Sequence, residues 1–361
     1  MSLARNSENF LHAHMPYTSA VTDTILRTYD GDLITSMEVQ GLTASMSDDR
    51  EVDAAMQNFD MMLQTMNPRC GIYIHKIIND AKPLHPNKST NNAFANAIDQ
   101  RWYAHLNASG LKTRKIIVTF CIRPNLGVVS AKKIFGNIFK NNEAHVSETF
   151  NLIAELRSIA KHFEAIVTPR KCTNLKLSDG TLLGFMGKLV GRRASIILPA
   201  KTSGPITAPI VADRYHFQGD YFIIKEQNDK HRYGRIMSIK NYCPNTWATI
   251  LDRLEMPMDM VITNSYTPCS TNKAKKMLKH TDIAMESAED NRLSDQAKLI
   301  EAKDDLVSRR IGFGKHHFSV TIFQDTLESL DDLTSITRAN CEEVGLTMVS
   351  ETTFAKESFF A

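Results

Sequence analysis

The sequence predicts an α+β protein of two similar subdomains, each a mainly antiparallel sheet with helices packed on it. Three observations carry that prediction. Asp30-Gly31 separates two strand-like runs in the manner of a hairpin turn. Val52, Ala55, Met56, Phe59, Met62, Leu63 and Met66 recur at the spacing of one helix face. The same order of elements (hairpin, helix, strand, helix, strand, helix) then occurs twice along the chain.

Taken in order, strands are expected at Thr22–Tyr29 and Asp32–Gln40, followed by a helix over Ser47–Met66 with Asp48 and Glu51 placed to cap it. A strand over Gly71–Ile78, a helix near Asn91–Leu106 and a strand over Lys115–Ile122 come next. A helix over Glu143–Ile166 closes this half, because Ile153, Leu156, Ala160, Phe163 and Val167 are spaced three and four apart. The second half reads strands Tyr221–Glu226 and Tyr233–Lys240, a Pro-marked corner at Pro244, and a compact helix over Thr246–Leu254. Pro257 opens a strand over Met258–Ser265, and a long helical stretch spans Asn272–Arg309. Strand His317–Phe323, helix Leu327–Glu343 and strand Leu346–Val349 complete it.

The expected organisation is a tail over residues 1–17, a first subdomain over 18–168, an irregular connection over 169–212 and a second subdomain over 213–361. The connection holds a helix at Asp179–Leu189. Pro199, Gly204, Pro205 and Pro209 then predict an exposed passage from Leu198 to Ile210.

With 361 residues, 42% hydrophobic and 23% charged, the chain reads as globular and able to bury a sizeable core. A net charge of +3 is too small to mark a nucleic-acid binder by itself. Six scattered cysteines without a C-x-x-C predict free thiols in a reducing compartment. Residues 1–14 lack the apolar core of a secretory signal, and the apolar run Ile116–Ile122 is far short of the ~20 residues that a membrane helix needs.

Candidate chemistry is sparse. Gly184-Phe185-Met186-Gly187-Lys188-Leu189 approaches a phosphate loop, but position 182 is Leu where glycine is required and position 189 is Leu where a hydroxyl would hold Mg²⁺. Leu182, Leu183, Met186, Leu189 and Val190 instead form the stripe of an amphipathic helix. Gly312-Phe313-Gly314 lacks a third glycine and reads as a helix end opening into a strand. His316 and His317 alternate faces of a strand, and neither H-x-x-x-H nor G-x-S-x-G occurs, so no metal, cofactor-binding or catalytic residue is assigned. The surface candidate is a basic helix face of Lys273, Lys275, Lys276 and Lys279, suited to a partner or an anionic lipid surface, against the plainer reading of a solvated face. Lys112-Thr113-Arg114-Lys115 and Arg192-Arg193 read as loop ends.

Three stretches share a wording. The segment Ser238–Tyr266 places Lys240, Tyr242 and Pro244 before a helix and a strand ending in Ser265-Tyr266. Asp304-Asp305-Leu306 precedes Phe313–Thr321, and Gly345-Leu346 leads to Glu357–Ala361. In this order they resemble the N-terminal domain of the VirB/TrbE/CagE family of type IV secretion and conjugation ATPases, from about Thr18 to the end. The resemblance implies a docking and oligomerisation domain at the inner face of the bacterial inner membrane. Its expected partners are inner-membrane proteins of the secretion system and further copies of itself, as a dimer or hexamer. ATP and Mg²⁺ are expected only in a RecA-like module that would follow and that this chain lacks. Two other classes compete: a nucleic-acid-binding accessory module, disfavoured by the near-neutral charge and the lack of aromatics among the basic stretches, and a stand-alone enzyme, which would need a deep pocket of converging polar groups.

Overall fold

Period-two apolar runs flanked by turn residues become strands that pair with one another. The computed structural model describes residues 14–41, 48–81, 83–85, 92–124, 142–167, 170–200, 205–211, 213–226, 230–247, 249–254, 256–287, 293–308 and 310–360. Twelve strands among them join one sheet, and every pairing is antiparallel. The first repeat supplies β1 (Tyr17–Thr22), β2 (Ile25–Thr28), β3 (Leu33–Val39), β4 (Cys70–Asp80), β5 (Lys112–Ile122) and β6 (Cys172–Asn174). The second supplies β7 (Arg214–Gln218), β8 (Tyr221–Lys225), β9 (His231–Asn241), β10 (Asp259–Pro268), β11 (Gly314–Gln324) and β12 (Thr347–Ser350). The helices are α1 (Asp49–Thr65), α2 (Ala93–Ala108), α3 (Asn142–Val167), α4 (Thr181–Leu189), α5 (Thr271–Ser287), α6 (Leu293–Val307), α7 (Leu327–Glu343) and α8 (Ala355–Phe360).

The strand order contains the duplication. From its outer edge inward the first repeat runs β1-β2-β3-β5-β4, and the second runs β7-β8-β9-β11-β10. The short strands β6 and β12 attach to β3 and β9 alike. Register agrees as well. Met37 pairs with Val118 and Asn174, and Val118 faces Ile74; Met237 pairs with Val320 and Ser350, and Val320 faces Ile262. Both methionines are fully buried. The repeats meet where β4 lies against β10, from Ile72↔Tyr266 to Ile78↔Met260, so backbone hydrogen bonds cross from one to the other.

Strand alternation sends side chains to two covered faces. On one face α1 and α3 bury Met62, Met66, Leu156 and Phe163 against β3 and β5, with the Phe163 ring 5.4 Å from that of Phe120. On the same face α7 buries Leu330 and Cys341 against β9, β10 and β11. The opposite face carries a core drawn from both repeats: Leu26, Ile34, Ile77 and Ile117 together with Phe222, Ile236, Val261 and Phe323, with α4 between them.

Four sequence expectations are corrected. Within Thr246–Leu254 the described residues form turns and a single 3-10 segment, Asp252–Leu254, and Thr249 has a φ of 70°, in the left-handed region that a regular helix does not admit. The stretch Asn272–Arg309 forms two helices, α5 and α6, which pack together and share a Lys303–Asp282 ion pair. A continuous helix of that length would extend about 57 Å and bury little of itself. Lys112, Arg114 and Lys115 belong to β5 and do not end a loop. The passage from Leu198 to Ile210 is not wholly exposed, since Thr207 and Ile210 are buried at its far end.

Candidate functional site

Glycines decide how α4 is seated. Gly180 has a φ of 75° at the N-cap, in the left-handed region that favours glycine. A Cβ at Gly184 would stand 2.1 Å from the Ser195 carbonyl oxygen, and one at Gly187 would stand 2.7 Å from Ile197 Cδ1. These glycines therefore let the helix press onto the strand-like passage after it, and the resemblance to a phosphate loop ends there. All six residues from Leu182 to Gly187 are buried.

That close packing leaves Lys188, Arg192 and Arg193 at the rim of a cleft of about 380 Å³. Its other walls are the end of β4 (Ile77 to Asp80), Arg232 at the start of β9, Asp259 to Val261 at the start of β10, and Phe323 on β11. The site thus sits at one end of the β4–β10 seam. Lys112 bridges the repeats there, donating to Asp80 at 2.6 Å and Asp259 at 2.8 Å. Burial alone would lower its pKa, but the hydrogen bonds to Asp259 and Asp80 outweigh that and raise it. The bond from Lys112 holds the Asp80 carboxyl below its usual range.

Arg232 is 4% exposed; it pairs with Asp259, donates to the Gly191 carbonyl and lies 4.9 Å over the Phe323 ring. Burial lowers its pKa, and Asp259 opposes the shift. Arg193 pairs with Asp325 and, at 3.6 Å, with Glu226. Arg192 donates to the Pro209 and Ile210 carbonyls at 2.6 and 3.1 Å and lies 3.7 Å from Asp213. Lys188 differs: its ammonium donates to the Arg193 carbonyl at 2.6 Å, and no carboxylate among the described residues pairs with it. Burial pushes its pKa down.

A second cavity of about 280 Å³ lies on the same face under α4 and α8, lined by Ser36, His75, Thr119, Thr263, Ser319 and Thr321 among others. His75 shares a hydrogen bond of 3.1 Å between its Nδ1 and Thr263 Oγ1, and burial lowers its pKa to about 4. Ser36 and Thr119 hydroxyls meet at 2.8 Å.

The basic residues Lys273, Lys275, Lys276 and Lys279 lie exposed on α5, at the opposite end of the β4–β10 seam from the cleft. The fold does not bring them together with Arg192 and Arg193. His316 is tied by hydrogen bonds to Tyr242 and Asn264. Among the described residues, no group of three or more His, Cys, Asp or Glu side chains is placed to hold a metal. The six cysteines are free thiols, and no described helix is long and apolar enough to cross a membrane.

Sequence reading missed Lys188, Arg232, Asp80 and Asp259 as a set, because strand register, which no local pattern displays, makes them neighbours. It placed α2 as a helix but passed over its exposed apolar side chains, Phe94, Ile98 and Trp102 at 74%, 52% and 58% exposure, with no buried residue on the helix. The i, i+4, i+8 spacing of those three was the available signal.

A duplicated antiparallel α+β body built on one shared sheet defines the class of protein. Residues 171–361 match the CagE, TrbE, VirB family, component of type IV transporter system, and residues 24–128 match the type IV secretion system ATPase VirB4/TrbE N-terminal domain. The chain belongs to this type IV secretion family. Relatives include Protein virB4 of Agrobacterium fabrum, 23% identical over 346 residues, which cover 94% of this chain and 43% of that protein. Type IV secretion system protein PtlC of Bordetella pertussis is 24% identical over 373 residues, which cover 100% of this chain and 44% of PtlC. The chain therefore spans less than half the length of these relatives.

Proposed function

We propose that this chain is the docking and oligomerisation module of a type IV secretion or conjugal-transfer ATPase. It binds inner-membrane components of the channel from the cytoplasmic side and supports pilus biogenesis and substrate transfer, while ATP and Mg²⁺ are handled outside these residues. The observation that carries the reading is α2, a helix without a buried residue whose large apolar side chains, Phe94, Ile98 and Trp102, are exposed. A contiguous exposed apolar stripe marks a contact surface. The lysine face of α5 supplies a weaker peripheral contact with anionic headgroups, worth on the order of 1 kcal/mol per residue at best.

The test is co-sedimentation of the purified chain with inner-membrane vesicles that contain or lack the secretion-system membrane proteins. Wild-type chain is expected to pellet with the first and not the second. A Phe94→Ser, Trp102→Ser double variant is expected to stay in the supernatant with its unfolding midpoint little changed, because both side chains are already exposed. Undiminished pelleting of that variant would overturn the role given to α2. ATP turnover by the purified chain above a buffer blank would overturn the non-catalytic reading.

A further inference from the structure

We propose that the cleft at the β4–β10 seam binds an organic oxyanion: a phosphate or carboxylate group held by Lys188 and Arg193, joined to an apolar body. The site is distinct from α2, so its failure would leave the docking reading standing.

Four observations converge on it. Lys188, Arg192, Arg193 and Arg232 line the cleft with two carboxylates, Asp80 and Asp259, while Arg192 pairs outside the lining with Asp213 and Arg193 with Asp325 and Glu226. Both carboxylates are already committed, to Lys112 and, for Asp259, also to Arg232. That leaves the Lys188 ammonium, half-buried, with a neutral carbonyl as its hydrogen-bond partner. A desolvated cation without a counter-ion is costly, and an anion entering the cleft removes that cost.

The second observation is a buried donor left over. Arg232 is more than nine-tenths buried, yet its Nε has no acceptor, where buried donors are ordinarily satisfied. The third is the floor. Ile77, Val261 and Phe323 make it apolar, so a bare inorganic ion would leave most of the 380 Å³ unused. A ligand with an apolar part fills it.

The fourth is divergence between the repeats. With Met37 matched to Met237, the register places Asp32 of the first repeat where the second has Arg232. In the same way Gly71 stands where Asp259 does, and Cys121 where Phe323 does. The repeats share the backbone, while Arg232, Asp259 and Phe323 stand in the second alone.

The probes are phenyl phosphate, benzoate and inorganic phosphate, each titrated calorimetrically into the full chain. Saturable binding of phenyl phosphate or benzoate is expected, with inorganic phosphate at least tenfold weaker. Stronger binding of phenyl phosphate identifies the group as a phosphate, and stronger binding of benzoate as a carboxylate. Lys188→Gln and Arg193→Gln are each expected to weaken the better probe at least tenfold, Lys188→Arg to retain it, and Lys275→Gln on the distant α5 face to leave it unchanged. Unaltered unfolding midpoints exclude loss of the fold as the cause. Absence of saturable binding by all three probes, or full affinity in Lys188→Gln, would overturn the proposal.

Discussion

Single residues on this sheet answer to their burial more than to their type. His75 sits within the polar cavity, 7% exposed, with its ring stacked over Tyr73 at 6.2 Å and 5.3 Å from Phe185. Burial depresses its pKa from 6.5 to about 4, so the folded protein holds it neutral where the unfolded chain would protonate it. The stability tied to this group is whole above pH 6.5 and is lost as pH falls from there towards 4, by at most about 3 kcal/mol. Urea midpoints measured at pH 7 and pH 4.5 should therefore differ less in His75→Asn than in wild type. An equal pH dependence in both would remove His75 as the cause. Nothing in the sequence marked this residue, because its neighbours Thr263 and Phe185 are more than a hundred positions away. Met37 and Met237 make the same point, since each reads as an ordinary strand residue until the register pairs it with a buried valine.

Elements with long, regular patterns were legible before the fold was known. The stripe from Val52 to Met66 became α1, capped by Asp48 accepting from the Arg50 amide, and the three-four spacing from Ile153 to Phe163 became the buried side of α3. Short elements between prolines were not legible, as the 3-10 segment Asp252–Leu254 demonstrates. There the chain's path is set by Leu254 entering the core beside Met258 and Met260, a tertiary demand that local propensity does not express. The seat of α4 belongs to the same scale. Because the Ser195 carbonyl leaves no space for a methyl group at position 184, Gly184→Ala is expected to cost at least about 2 kcal/mol, read as a fall in the urea midpoint. A variant as stable as wild type would mean that α4 is not pressed against that passage.

At the scale of the whole molecule, the duplication was visible as a repeated order of elements but not as a shared sheet. No pattern in β4 or β10 announces that they pair, since no local signal shows which strand of the other half lies beside them. The consequence for stability is direct. One core takes Ile34 and Ile117 from the first repeat and Ile236 and Phe323 from the second, so neither can lose its packing alone. Far-ultraviolet and near-ultraviolet circular dichroism should therefore report a single coincident urea transition. Two separated transitions would show that the repeats unfold independently.

The antiparallel seam also fixes where the longest excursions leave the sheet. The chain departs to α2 from Asp80 and to the α5–α6 pair from Pro268, and these residues close opposite ends of adjoining strands. With about 3.4 Å per residue, the two points of departure stand roughly 30 Å apart. A surface that meets both arms together has to span that separation, and a partner narrower than it, seated on the Trp102 side, leaves the lysine side open to something else.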